Sequence, residues 1–226
     1  MSININSLEN AMELIHKGFN KEIWQEVHNF SANNNDWCIS KSKILEKDTD
    51  FCKSITNIEW HELLCEKEFP LTYGEVLEIG GHFGRFSLYK ALNFPEMRLS
   101  VTDISTDITK LTIKHLELLN IKNIKRYTMF SEDIEFKNDI FDRVYALETI
   151  EHVGDLNKSL LEIKRVLKIG GDFIFALPFN DWADGGFHTQ KHSEEFWKDK
   201  LKEYFTVTNW ILMENGNSVC GRGEKI

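Results

Sequence analysis

The chain has 226 residues, 42% hydrophobic and 28% charged, with a formal net charge of -9. That length suits one α/β domain, or a domain with a small appendage. The acidic balance disfavours tight binding to long nucleic acid, where phosphate contacts dominate affinity. No apolar run approaches the roughly 20 residues needed to span a bilayer. The opening Met1–Asn6 lacks a basic region and an apolar run, so it is not read as a signal peptide. Cys38, Cys52, Cys65 and Cys220 lie far apart without a C-x-x-C pair. This spacing argues against a zinc knuckle or a disulfide framework and fits a reducing cytoplasm.

In chain order, residues 1–70 contain no strand-like run. Leu8, Met12, Ile15 and Phe19 recur at helical spacing, and Ile23, Val27 and Phe30 form a second stripe. Ile55, Ile58 and Leu63 suggest a third, closed by Pro70. This stretch reads as a helical appendage, too small for a core of its own. Its Trp24, Trp37 and Trp60, with Trp182 further on, are candidate walls for an acceptor pocket.

Residues 71–226 alternate strand and helix. Expected strands are Val76–Ile79, Leu99–Thr102, Ile124–Thr128, Phe141–Ala146 and Phe173–Leu177. Expected helices are Arg85–Leu92, Ile108–Leu119, Leu156–Leu167 and Ser193–Tyr204. Lys168-Ile-Gly-Gly171 reads as a helix C-cap. Alternation of this kind predicts a Rossmann-like, mostly parallel sheet with helices on both faces. Asn215-Gly216, between Thr206–Met213 and Ser218–Gly221, signals a closing antiparallel hairpin.

Val76-Leu-Glu-Ile-Gly-Gly-His-Phe-Gly84 is a buried strand running into a glycine turn and then a helix. Such a turn at the carboxyl edge of a sheet is where open α/β proteins bind nucleotides. The spacing fails the dinucleotide fingerprint, because His82 and Arg85 stand where glycines are needed, and no Gly-Lys-Ser/Thr P-loop is present. Glu78 suits a ligand bearing an ammonium and a sulfonium, and Asp103 after the next strand can hold ribose hydroxyls. The plainer reading is a turn that only packs a helix on a sheet.

These residues resemble motif I of the class I S-adenosylmethionine-dependent methyltransferases. Phe141–Leu147 and Leu167–Pro178 resemble the fourth-strand and helix–Gly-Gly–strand–Pro segments of that family. The resemblance implies seven strands, the last antiparallel, and S-adenosyl-L-methionine as cofactor. Its implied contacts are Glu78, Gly80, Gly81, His82, Gly84, Asp103, Ile104, Phe130, Ser131, Glu132 and Leu147. Two departures stand out. His82 replaces the middle glycine, and Met129-Phe130 replaces the Gly-Asp pair before the adenine loop.

Glu148-Thr-Ile-Glu-His152 follows the fourth strand. If helical there, Glu148, Glu151 and His152 share a face. Two close carboxylates need a proton or cation between them. An oxygen-rich set with imidazole suits Mg²⁺ or Mn²⁺, with Fe²⁺ or Zn²⁺ as further options. The cluster resembles that of two metal-dependent O-methyltransferase families, acting on ubiquinone precursors and on the terminal 2′-hydroxyl of small RNAs. By that resemblance His188, in the long loop before Ser193-Glu-Glu-Phe196, is the fourth ligand beside Glu148, Glu151 and His152. The alternatives are a metal-free histidine base and a solvated acidic face.

The expected reaction is O-methylation of a hydroxylated small molecule, a sugar, phenol or secondary metabolite. Glu151 and His152 would serve catalysis, and His152 or His192 would take the proton. The rivals are an RNA 2′-O-methyltransferase and a non-catalytic protein of the same fold. Location in the cytoplasm is expected, without membrane contact, and self-association into a homodimer is left open.

Overall fold

The computed structural model describes residues 60–180, 188–214 and 216–226, together with Gln25, Glu26 and Asn29. The first two expected helical stripes, Trp24, Trp37 and Trp182 fall outside these residues. Among the described residues, α1 (Trp60–Glu68) precedes β1 (Gly74–Ile79), α2 (Arg85–Asn93), β2 (Met97–Asp103), α3 (Thr106–Leu118) and β3 (Ile124–Thr128). Then come β4 (Phe141–Leu147), a 3₁₀ turn at Ile150–His152, α4 (Leu156–Val166), β5 (Leu167–Pro178), α5 (Glu194–Lys202), β6 (Thr206–Leu212) and β7 (Ser218–Glu224).

The seven strands lie in the order β3-β2-β1-β4-β5-β7-β6. β1 pairs in parallel with both β2 and β4, and β7 runs antiparallel to β5 and β6. The expected seven-stranded sheet with an antiparallel C-terminal hairpin is thus the observed one. The chain leaves β1 toward one edge and resumes at β4 on the other side. A crevice therefore opens at the carboxyl ends of β1 and β4, the usual ligand position in such sheets.

Apolar residues fill both faces. Phe86, Leu88 and Ala91 of α2 and Ile108 and Leu116 of α3 pack on one face with Cys65 and Phe69. Leu160 and Ile163 of α4, with Trp197 and Leu201 of α5, cover the other. Three helices start on a side-chain cap. Ser105 accepts from Ile108 N, Asp155 from Lys158 N and Ser193 from Phe196 N, each satisfying an otherwise orphan amide.

Three local expectations change. The Lys168–Gly171 cap is instead the start of β5, where Gly170 takes φ 76° and Gly170 N bonds Lys225 O. Pairing with the end of β7 outcompetes a helix cap there. Glu148–His152 does not form an α-helix: Glu148 sits at φ 51° and only Ile150–His152 make a 3₁₀ turn. The cysteines, read as unpaired, include one pair. Cys65 of α1 and Cys220 of β7 meet as a disulfide across 155 residues, with Cα atoms 6.3 Å apart. Sequence spacing carries no trace of it, because folding alone lays α1 against β7.

Candidate active site

The glycine turn follows β1 directly. Gly80 at φ 70° has no room for a Cβ, which would collide with the Thr149 side chain. At Gly81 a Cβ would meet Val101. His82 also adopts a left-handed φ, 42°, a conformation uncommon outside glycine. Its backbone is held from two sides. His82 N donates to Asp103 Oδ2 at 2.9 Å, and His82 O accepts from Arg126 Nη2. The ring turns edge-on to Phe83.

Asp103, at the end of β2, also accepts from Ser105 N at 2.8 Å through Oδ1. One carboxylate thus ties the turn after β1 to the loop after β2. That loop meets the N-terminal segment as well. Gln25 Nε2 donates to Ile104 O at 3.1 Å, and Ser105 Oγ donates to Asn29 Oδ1 at 2.8 Å. Glu78 lies under the turn, 5% exposed, and its Oε2 has no hydrogen-bond partner among the described residues. Burial raises its carboxyl pKa, and the Ser87 hydrogen bond and the Arg126 charge pull the other way.

On the adenine side of the expected site, Ser131 and Glu132 are engaged in the fold. Ser131 Oγ lies 2.9 Å from Ser159 Oγ, and Glu132 Oε1 accepts from Gly154 N at 2.8 Å. They bind the loop after β3 to the start of α4. Phe130 bridges to Asp133 and is partly buried. Leu147 is 8% exposed at the end of β4.

Thr149 joins the two halves of the crevice. Its Oγ1 lies 3.1 Å from both Ile79 O and Leu147 O. Immediately after it, one ligand atom each of Glu151, His152 and His188 lies within 4.8 Å of the others. Glu151 is fully buried, and neither carboxylate oxygen has a hydrogen-bond partner among the described residues. Burial, reinforced by the charge of Glu148, holds its carboxyl well above the usual range. The His152 and His188 rings meet edge to face, centroids 4.7 Å apart.

What brings His188 there is the main chain beside it. Thr189 N and Gln190 N both donate to Glu151 O at 2.9 Å, while Thr189 Oγ1 donates to Val153 O at 2.8 Å. Thr149, Thr189 and Gln190 are therefore positioning residues that sequence reading missed. No periodic or motif signal marks them. Glu148 stands outside the three-residue group, although its charge acts on Glu151. His192 also stands outside it. Its ring stacks on Phe196 at 3.6 Å, its Nε2 lies 3.2 Å from Gln190 Oε1, and burial followed by Lys200 lowers its pKa.

The donor set fits a divalent cation. The Glu151 carboxylate is buried without a hydrogen bond among the described residues, its Oε1 lies 3.7 Å from His152 Nε2, and such a group is costly without a proton or metal. Among the described residues, no helix is long and apolar enough to cross a membrane.

Residues 77–173 match the family model described as a methyltransferase domain. Over that segment, under half of the chain, the protein is similar to a methyltransferase domain, a likeness in keeping with the strand order above. The chain is 32% identical over 127 residues to the uncharacterized protein MJ1123 of Methanocaldococcus jannaschii, covering 56% of each. It is 28% identical over 164 residues to the ubiquinone/menaquinone biosynthesis C-methyltransferase UbiE of Rickettsia felis, covering 70% of this chain and 60% of that one. The chain thus spans only 56% and 60% of the length of those two curated relatives. A SAM-dependent methyltransferase from Aquifex aeolicus superposes with a TM-score of 0.67 at 18% identity, over 83% of this chain and 98% of that one. That likeness is one of fold.

Proposed function

We propose that the protein is an S-adenosylmethionine-dependent O-methyltransferase for a hydroxylated small molecule, working with a divalent cation such as Mg²⁺ or Mn²⁺. The observation that carries this reading is the fully buried Glu151 carboxylate, without a hydrogen bond among the described residues, whose ligand atom lies within 4.8 Å of those of His152 and His188. Glu151, His152 and His188 would hold the cation, with Glu148 adding charge. When bound, the ion supplies Lewis acidity that lowers the pKa of an acceptor hydroxyl.

The residues of this chain do the rest. The 80–84 turn and Asp103 would hold the cofactor, which would supply the methyl group at the crevice between β1 and β4. Transfer is an in-line displacement: the acceptor oxygen forms a bond to the methyl carbon while the carbon–sulfur bond breaks. The sulfonium becomes a neutral thioether, and the acceptor proton must leave. His152 or His192 would take that proton, and burial followed by the charge of Lys200 lowers the pKa of His192. With Gln190 Oε1 accepting from Nε2, Nδ1 is the basic atom.

The testing experiment is methyl transfer to a panel of catechols, phenols and sugars with and without chelator. Loss of activity in chelator and its return with Mg²⁺ or Mn²⁺ are expected. Full activity in excess chelator would remove the cation from this reading.

A second reading is favoured by the UbiE relative, whose name records a C-methyltransferase. Methylation of an activated ring carbon needs a base but no bound hydroxyl. The position of the new methyl in the product, read by NMR, separates the two.

A further inference from the structure

Arg126 is absent from every motif in the sequence, yet it sits at the centre of the cofactor end. Glu78 of β1 pairs with Val101 of β2, and Val101 pairs with Arg126 of β3. Directly paired residues on neighbouring strands project to one side of a sheet, so all three share a face. Val101 is short, and the guanidinium passes over it to lie beneath the glycine turn. Arg126 is 6% exposed there, and its Nε and Nη1 have no hydrogen-bond partner among the described residues. Nη2 donates to His82 O. A Cβ built on Gly81 would stand 3.2 Å from Nη1, and one built on Gly84 3.0 Å from it. The glycines that expose backbone to a ligand from above also make room for this cation from below.

The charge balance gives the arrangement a purpose. Glu78 and Asp103 are both buried at this end, and both act electrostatically on Arg126. Two buried carboxylates without a cation between them repel, at a cost that burial magnifies. A guanidinium whose charge acts on both offsets that cost and donates one N–H to the His82 carbonyl. His82 is the residue that departs from glycine in the turn, so its left-handed backbone is the part that most needs holding.

We propose that Arg126 is a positioning residue for cofactor binding: it props the 80–84 turn from beneath by holding His82 O and neutralises the buried Glu78 and Asp103. The inference rests on S-adenosylmethionine being the ligand of that turn. Arg126 does not touch the cofactor. It acts through the shape of the turn and the charge below it.

The test is calorimetric titration of S-adenosylmethionine into the full chain and into Arg126→Gln and Arg126→Lys, with hydrogen exchange at the Gly84 amide in the cofactor-free proteins. Arg126→Gln is expected to weaken binding by about tenfold or more, the scale of one hydrogen bond involving a charged group. Arg126→Lys keeps the charge and is expected to recover a large part of that loss, which a purely space-filling role would not produce. If Arg126→Gln fails to fold, the comparison of Arg126→Lys with the wild type still decides, a loss of about two- to fivefold being expected for one weaker contact. Wild-type affinity in every variant, or equal losses in Gln and Lys, overturns the proposal. A wild-type chain that binds no cofactor overturns the reading of the site. In that case Gly84 exchange decides for Arg126 alone: about tenfold faster exchange in Arg126→Gln upholds the prop, and unchanged exchange overturns it.

Discussion

The Asp103 carboxylate accepts the backbone N–H of His82 at 2.9 Å, and so joins the turn after β1 to the loop after β2. Its second oxygen is taken by Ser105 N. Both bonds are charge-assisted and buried, each worth about 1.5–3 kcal/mol. Asp103→Ala removes both and strands two amides. Cofactor affinity is expected to fall by about 10- to 100-fold, measured by calorimetry. Asp103→Asn retains one acceptor and is expected to fall between the two.

On the proposed reading, Glu151 and His152 serve chemistry rather than cofactor binding. Glu151→Ala or His152→Ala is expected to abolish turnover and leave S-adenosylmethionine affinity within about twofold of the wild type, a difference of less than 0.5 kcal/mol. Lost cofactor binding in either variant would show that the cluster serves the cofactor end instead.

The metal reading has a readout that needs no substrate. A cation held by the folded protein alone raises its thermal midpoint by mass action. Mn²⁺ is expected to raise the midpoint of the wild type and to leave that of a Glu151→Gln, His188→Ala double variant unchanged. Differential scanning calorimetry against added Mn²⁺ measures both, and an equal rise in both chains would place the ion elsewhere.

Acid is expected to loosen the strap between β3 and β4. Arg165 hydrogen-bonds Glu162 and also holds Ile134 O and Phe136 O, while Glu162 accepts from Ile134 N. The Arg165 hydrogen bonds depress the Glu162 carboxyl below its ordinary value, partly offset by burial and aided by Ile134 N. A carboxyl depressed in the folded state stabilises above its unfolded pKa of about 4.3. That contribution fades as pH falls through the lower folded value. Thermal midpoints taken from about pH 6 to pH 3 are expected to fall, and Glu162→Gln is expected to flatten that fall while lowering the midpoint at pH 6. A variant with an unchanged slope would remove Glu162 from the acid response.

The N-terminal segment is coupled to the cofactor end through Asn29. Its Oδ1 accepts from Ser105 Oγ, and Ser105 in turn caps α3 and bonds Asp103. Asn29→Ala, which removes the Ser105 bond and the one from Asn29 Nδ2 to Thr106 Oγ1, is expected to weaken cofactor binding by about three- to tenfold, the scale of an ordinary hydrogen bond. Ser105→Ala is expected to lose more, because it also removes the cap. Titration of both variants checks the order.

By itself the sequence determined the alternation of strands and helices, the glycine turn after β1, the acid after β2 and the C-terminal hairpin. Each of these is written in a few neighbouring residues, as period, glycine spacing or turn chemistry, and β3 was legible to the residue as Ile124–Thr128. The cluster of Glu151 and His152 was legible for the same reason, being local. Apart from His188, which the resemblance to metal-dependent O-methyltransferases already implied, the tertiary structure decided which distant residues meet them. His188 reaches Glu151 because Thr189 and Gln190 bind its carbonyl from 38 and 39 residues away. Arg126 reaches His82 because three strands pair in one register. Cys65 reaches Cys220 because α1 lies against β7. Glu78 was expected to suit a ligand carrying an ammonium, and only the fold set its burial, 5% exposed, and the charge of Arg126 acting on it. Such contacts depend on strand order, register and packed volume, which no local pattern encodes. A buried charge takes its meaning from its neighbours across the sheet.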